Sequence, residues 1–291
     1  MSINHLTDVH AHLADAAFDA DRSEVLARAR AVGVGAVVTV GETLSDARKI
    51  LALADVHPEI LPAAGLYPNR LCAPDSLLAG LSFLPQPASC LEHTESKTQP
   101  ASCLGQTSLG LAQADEIISF IRQHRHRIVA IGEVGLDHWK VQDDEGRKLQ
   151  REIFSRFIDL SLELDLPLNV HSRSAGRAAI ELLLEKGAKR VLLHAFDAKA
   201  SAALPAVEAG YFFSIPPSVV RSEQKRKLVK ALPLSAILLE TDSPVLGAVP
   251  GERNEPANLI IALKAVAEIK GLGEEAVREA VLLNQAEFFK V

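Results

Sequence analysis

The chain has 291 residues, 48% of them hydrophobic and 23% charged, with a formal net charge of −6. That balance excludes a disordered chain, and no apolar run approaches the ~18 residues that a membrane span needs. The acidic balance excludes a broad basic footprint for nucleic acid, though not a local cationic site or one made cationic by bound metal. Met1–His12 lacks a basic stretch followed by an apolar one, so no secretory leader is expected. The cysteines Cys72, Cys90 and Cys103 are odd in number and far from any metal-like motif. They argue against a disulfide scaffold and a thiolate zinc site, and for an intracellular setting, cytoplasmic or nuclear. A soluble monomer is the expected state.

Short Val-, Ile- and Leu-rich runs alternate along the chain with segments of helical period. Ile3–Asp8 precedes a helix at Ser23–Val32, and Ala36–Val40 one at Ser45–Val56. Ile60–Gly65 is followed, after a long gap, by a helix at Ala114–His124. Ile128–Glu133 precedes Glu145–Leu164, Leu168–His171 precedes Arg177–Lys186, and Val191–His194 precedes Ala198–Ala209. Tyr211–Ser214 leads to Ser222–Ala231, and Ile237–Glu240 to Pro256–Lys270, with an additional helix at Glu274–Lys290. Eight strand–helix units predict an α/β fold, a (β/α)8 TIM barrel, as a single domain over 1–291. The surplus over the ~250 residues of such a barrel falls at about 72–110. There Gln86-Pro-Ala-Ser-Cys-Leu91 recurs as Gln99-Pro-Ala-Ser-Cys-Leu104. Two copies make no solenoid, and the Ser/Pro/Thr/Gln-rich segment is expected to be a flexible loop insertion.

The residues that carry chemistry fall at the predicted strand ends, the face that hosts active sites in this architecture. Asp8-Val9-His10-Ala11-His12 ends the first run, and alternation puts His10 and His12 on one side. Glu133 closes the fourth run, His171 the fifth and His194 the sixth, and Asp242 follows the eighth. Alone, His-x-His is as readily structural, and polar caps on strand ends are the bland alternative for the set. Six such residues exceed the needs of one tetrahedral zinc and suit two divalent ions sharing a carboxylate and a hydroxide. Glu133 is the expected bridge. His10, His12 and Asp242 complete one ion, and His171 and His194 the other. Asp242 is the candidate general base. The ion identity is left among Zn²⁺, Mn²⁺ and Mg²⁺. Asp8 is expected to orient a ligand imidazole, and Glu240 and Ser243 to orient Asp242.

Seven stretches in register resemble the TatD family of metal-dependent hydrolases, usually described as deoxyribonucleases. They are DVHAHL (Asp8–Leu13), GEVGLD (Gly132–Asp137), PLNVHSRSA (Pro167–Ala175), LLHAF (Leu192–Phe196), LLETDSPVL (Leu238–Leu246), RNEPANL (Arg253–Leu259) and NQAEFF (Asn284–Phe289). The resemblance implies a (β/α)8 barrel with a two-metal site and metal roles for His10, His12, Glu133, His171, His194 and Asp242. Two departures bear on substrate rather than on ligands. Gly65-Leu66-Tyr67-Pro68-Asn69 stands where the family commonly has Gly-x-His-Pro-His. Asp197-Ala198-Lys199 follows Phe196 where a glycine is usual.

On the substrate side, Arg173 lies two residues past His171 and suits bidentate phosphate binding, with a salt bridge as the equal alternative. Arg253 and Asn254 precede a helix whose N-terminus can take an anion, or else they brace the loop. Tyr67 and Trp139 can stack on a base or simply pack, and His138 is close enough behind Glu133 to reach substrate. The basic run Arg122 to Arg127 precedes the fourth strand, on the opposite face, and reads as a solvated helix end. The leading expectation is a deoxyribonuclease in which a hydroxide bridging two metals attacks DNA phosphodiesters at single strands or ends. The alternatives are an ester or amide hydrolase, such as an aminoacyl-tRNA deacylase, and a non-catalytic barrel adaptor.

Overall fold

Runs of branched apolar residues take the strand conformation, and polar caps start the helices between them. The computed structural model describes residues 5–69 and 103–290. The strands are β1 (Leu6–Ala11), β2 (Val34–Thr39), β3 (Ile60–Ala64), β4 (Ala130–Gly135), β5 (Leu168–His171), β6 (Val191–Leu193), β7 (Phe212–Ile215) and β8 (Ile237–Leu239). All neighbours pair in parallel, in chain order from β1 to β8. The helices are α1 (Arg22–Ala31), α2 (Leu44–Val56), α3 (Cys103–Gln123), α4 (Asp144–Leu164), α5 (Gly176–Glu185), α6 (Ala200–Glu208), α7 (Glu223–Ala231), α8 (Leu259–Lys270) and α9 (Glu274–Phe289). Thr43, Asp143 and Ser222 cap α2, α4 and α7 by accepting from backbone N–H groups.

The ring closes just beyond the last ladder. The Asp242 N–H donates to the His10 carbonyl at 2.9 Å, and the His12 N–H to the Ser243 carbonyl at 2.8 Å. This is the (β/α)8 architecture that the alternation predicts. Strand residues are buried on both faces of the sheet, as a parallel sheet covered by helices requires. Leu192 and Leu238, two residues below His194 and Glu240, pack with Val9, Phe212 and Phe288 of α9. Phe289 packs beside Val38, Ala63 and Ala130. The final helix thus supplies an apolar floor beneath the polar strand ends.

Several expected boundaries shift by a few residues, and three of these shifts bear on the reading. β1 runs on through His10 to Ala11 instead of stopping at Asp8, and β4 runs past Glu133 to Gly135. In both, a buried carboxylate that looks like a strand end is accommodated inside the ladder by partners from other strands. Helix α3 begins at Cys103, so residues 103–110 are helical where a loop was expected. The remainder of that expected loop, with Cys72 and Cys90, lies outside the described residues. Among the described residues no helix is long and apolar enough to cross a membrane.

Candidate metal centre

Six side chains from five strands meet at the carboxyl end of the barrel. β1 brings His10 and His12, β4 brings Glu133, β5 ends on His171, His194 follows β6, and Asp242 follows β8. All are buried except His12, which is partly exposed. Asp242 has φ +54°, a left-handed conformation that costs a non-glycine residue energy and aims its carboxylate inward. The peptides Gly132–Glu133 and Ser243–Pro244 are cis.

Glu133 divides the set. Its Oε2 lies 3.7 Å from His10 Nε2 and 3.5 Å from His12 Nε2. Asp242 Oδ1 lies 3.5 and 3.3 Å from the same two nitrogens, which are 3.3 Å apart. Four donors placed tetrahedrally about 2.1 Å from an ion stand roughly 3.4 Å from one another, so His10 and His12 stand at coordination spacing from each other and from both carboxylate oxygens. The other oxygen, Oε1, lies 2.7 Å from His171 Nδ1 and 2.9 Å from His194 Nε2, with those nitrogens 3.2 Å apart. Three triads are geometrically able to hold a cation: His10, His12 and Glu133; Glu133, His171 and His194; and His10, His194 and Asp242, which spans the two sides.

Electrostatics point the same way. Burial opposes ionisation of Glu133, yet the adjacent His194 and His171 hold its carboxyl well below the ordinary range. Burial likewise opposes a charge on His12, but Asp242 and Glu133 outweigh it and raise its pKa to about 9. His194 is held well above the ordinary imidazole range by Glu133 and Glu240, again against burial, and His171 is raised by Asp137 and Glu133. The buried carboxylates demand positive charge, which protons on the imidazoles or divalent cations can supply.

An outer ring fixes the imidazoles, and sequence reasoning assigned much of it wrongly or not at all. His10 Nδ1–H donates to Asn169 Oδ1 at 2.8 Å, while Asn169 Nδ2 donates to the Val9 carbonyl at 2.8 Å. This leaves His10 Nε2 with its lone pair towards Glu133 and Asp242. His171 Nε2–H donates to Asp137 at 3.2 Å, and the Tyr67 hydroxyl donates to the same oxygen at 3.2 Å. Asn169 was missed although its signal was present, two residues before His171 on the same side of a strand. Glu240 serves His194, 3.6 Å from its Nδ1, rather than Asp242, and it accepts from the Ser214 hydroxyl and the Ala195 N–H. Asp8 bonds no imidazole side chain. It accepts from the Thr241 N–H and hydroxyl and so ties β1 to the end of β8, and burial raises its pKa to about 8. The Ser243 hydroxyl meets that of Thr241 at 2.7 Å rather than Asp242.

The centre opens into a pocket of about 430 Å³, also lined by Tyr67 and Arg173. Arg173 lies over the Trp139 ring at 3.8 Å. The expected loop contacts are placed elsewhere, outside the pocket lining. Arg253 grips both carboxylate oxygens of Asp21 at 2.7 and 2.6 Å, and Asn254 is buried, donating to the carbonyls of Thr241 and Val245. Both brace the loop that carries Asp242. His138 does not line the pocket, and its N–H donates to the Arg173 carbonyl. Arg122 pairs with Glu163 and Arg127 with Asp55, the solvated helix end expected there.

Comparison with known proteins agrees with this architecture. The chain is 40% identical over 287 residues to Deoxyribonuclease TATDN3 of Homo sapiens, covering 98% of this chain and 94% of that one. It is 29% identical over 283 residues to a metal-dependent hydrolase of Methanocaldococcus jannaschii, covering 97% and 96%. The crystal structure of YJJV, a TatD homologue from Escherichia coli, superposes with a TM-score of 0.80 at 22% identity over the full length of both chains. The model of the TatD related DNase family matches residues 7–290, and the chain belongs to that family.

Proposed function

We propose that the chain is a metal-dependent phosphodiesterase that hydrolyses DNA at single strands or ends with two divalent cations. The observation that carries this reading is the division of Glu133, whose two oxygens each face a separate group of donors. In the proposed assignment His10, His12, Asp242 and Glu133 hold one ion, and His171, His194 and Glu133 the other. Such a pair of ions, when bound, would lower the pKa of bound water and polarise the phosphodiester. The imidazole-rich set suits Zn²⁺ or Mn²⁺ better than Mg²⁺.

The chain's own residues do the rest. Asp242 lines the pocket and is held ionised by His10 and His12 against the effect of burial, so it stands ready to accept the proton of the attacking water. Asn169, Asp137 and Glu240 hold three imidazoles in place, so little reorganisation is left for the reaction itself. Tyr67 and Arg173 lie at the pocket wall, where a phosphate or its sugar meets the protein. The scarce cysteines support an intracellular setting, cytoplasmic or nuclear, and a monomer is the proposed state.

The test is hydrolysis of an end-labelled single-stranded oligonucleotide by metal-free protein, by protein with Mg²⁺, Mn²⁺ or Zn²⁺, and by the Glu133→Ala variant. Metal-dependent ladders that vanish in the variant are expected. Two bound metal equivalents with no cleavage under any condition would remove DNA as the substrate.

A further inference from the structure

The geometry points to an anion subsite formed by Lys225, Ser172 and Arg173, which takes the non-bridging oxygens of a substrate phosphate beside the His171–His194 half of the centre. Three observations carry it. Lys225 reaches from α7 into the pocket, and its ammonium donates to the Ala195 carbonyl at 3.0 Å. Among the described residues its ammonium makes no ion pair, although Glu240, Asp242 and Asp197 act on it electrostatically, so two of its three N–H donors remain for a ligand. The Ser172 hydroxyl is buried, lines the same pocket and has no hydrogen-bond partner among the described residues. A buried hydroxyl without a partner is costly unless a ligand completes it. The guanidinium of Arg173 rests on Trp139 and, among the described residues, makes no hydrogen bond or ion pair. Its five donors are held at the pocket by a contact that uses only its flat face.

The distribution of charge around the pocket fixes the side. Asp15 and Glu42 line it from the segments after β1 and β2 and Asp46 from the first turn of α2, whereas Arg173 follows β5 and Lys225 belongs to α7. A phosphate is repelled by the first wall and drawn to the second. Asp197 stands on the cationic side but accepts from the Ser174 N–H at 3.0 Å, which offsets part of its charge. The two walls give the substrate a direction, with its phosphate towards α7 and its uncharged, donor-bearing portion towards β2.

This subsite deepens the phosphodiesterase reading and rests on it, but its test needs no turnover. The metal-loaded protein is titrated with inorganic phosphate by calorimetry, alongside Lys225→Met, Lys225→Arg and Ser172→Ala, with bound metal counted in each. Loss of about 10- to 100-fold in phosphate affinity is expected for Lys225→Met, from removal of a charge-assisted bond. A smaller loss is expected for Ser172→Ala and substantial recovery for Lys225→Arg, with metal stoichiometry unchanged throughout. In oligonucleotide cleavage the same Lys225→Met variant should raise KM more than it lowers kcat. Wild-type affinity in Lys225→Met would overturn the proposal. So would loss of metal from that variant, because Lys225 would then act by holding the backbone beside His194. Wild-type protein that binds no phosphate would overturn it too. If phosphate binds through Lys225 but no oligonucleotide is cut, the subsite stands and the DNA reading alone falls.

Discussion

The Nδ1 of His10 has its acceptor in Asn169, and that one bond decides which nitrogen of His10 faces the centre. Removing it frees the ring to rotate and to change tautomer. Asn169→Ala is therefore expected to weaken metal binding roughly 10- to 100-fold while the fold is kept, as loss of outer partners does at metal sites. Calorimetric metal titration with a circular-dichroism control checks this. His12 makes a second prediction. Its pKa of about 9 in the metal-free protein means that it is protonated at neutral pH, and a metal ligand must be neutral. Metal binding must then expel protons, from His12 and from the likewise raised His194 and His171, and apparent affinity must rise with pH through the neutral range towards 9. Titrations in buffers of different ionisation enthalpy count the protons released. Replacement of Glu133 by Gln should lower that number, because part of the field that raises His12 is removed.

At the scale of elements, the site depends on how closely β4 approaches β5. Gly135 has φ +144°, and a Cβ there would stand 2.0 Å from the His171 carbonyl oxygen. Only glycine allows both the conformation and the approach. Gly135→Ala is expected to cost about 2–5 kcal/mol, since overpacking and backbone strain add, and to displace His171. Denaturant melts measure the first effect, and loss of one metal equivalent from the folded variant measures the second. The loop after β8 shows the opposite division of labour. Its anchors, Asn254 on backbone carbonyls and Arg253 on Asp21, lie outside the pocket and set where Asp242 stands.

For the whole molecule, the polar centre is a cost that bound divalent metal is expected to remove. Two buried carboxylates face four imidazoles above an apolar floor. A ligand that binds only the folded state at 100 times its Kd contributes about 2.7 kcal/mol. Each divalent ion should thus raise the melting temperature by several degrees for a chain of this size. Differential scanning calorimetry with chelator and with added Zn²⁺ or Mn²⁺ gives the shift. Glu133→Ala should abolish most of it, because both groups of donors lose an oxygen.

The barrel was legible because its signals are local. Eight apolar runs at regular spacing need no long-range knowledge to be recognised, and polar residues at their ends stand out against them. His10, His12, Glu133, His171, His194 and Asp242 were found in this way, as strand-end residues of metal-competent type. What the sequence could not decide was which partner each buried polar group takes. Asp8 and Glu240 both sit beside site residues in the chain, yet one ties β1 to the end of β8 and the other supports His194. Arg253 and Asn254 carry substrate-like chemistry but spend it on Asp21 and on backbone carbonyls. Lys225, silent on a helix of charged residues, reaches the pocket. Periodicity fixes the side of an element on which a residue lies, whereas hydrogen-bond partners depend on distances between elements far apart in the chain. Those distances exist only once the barrel has closed.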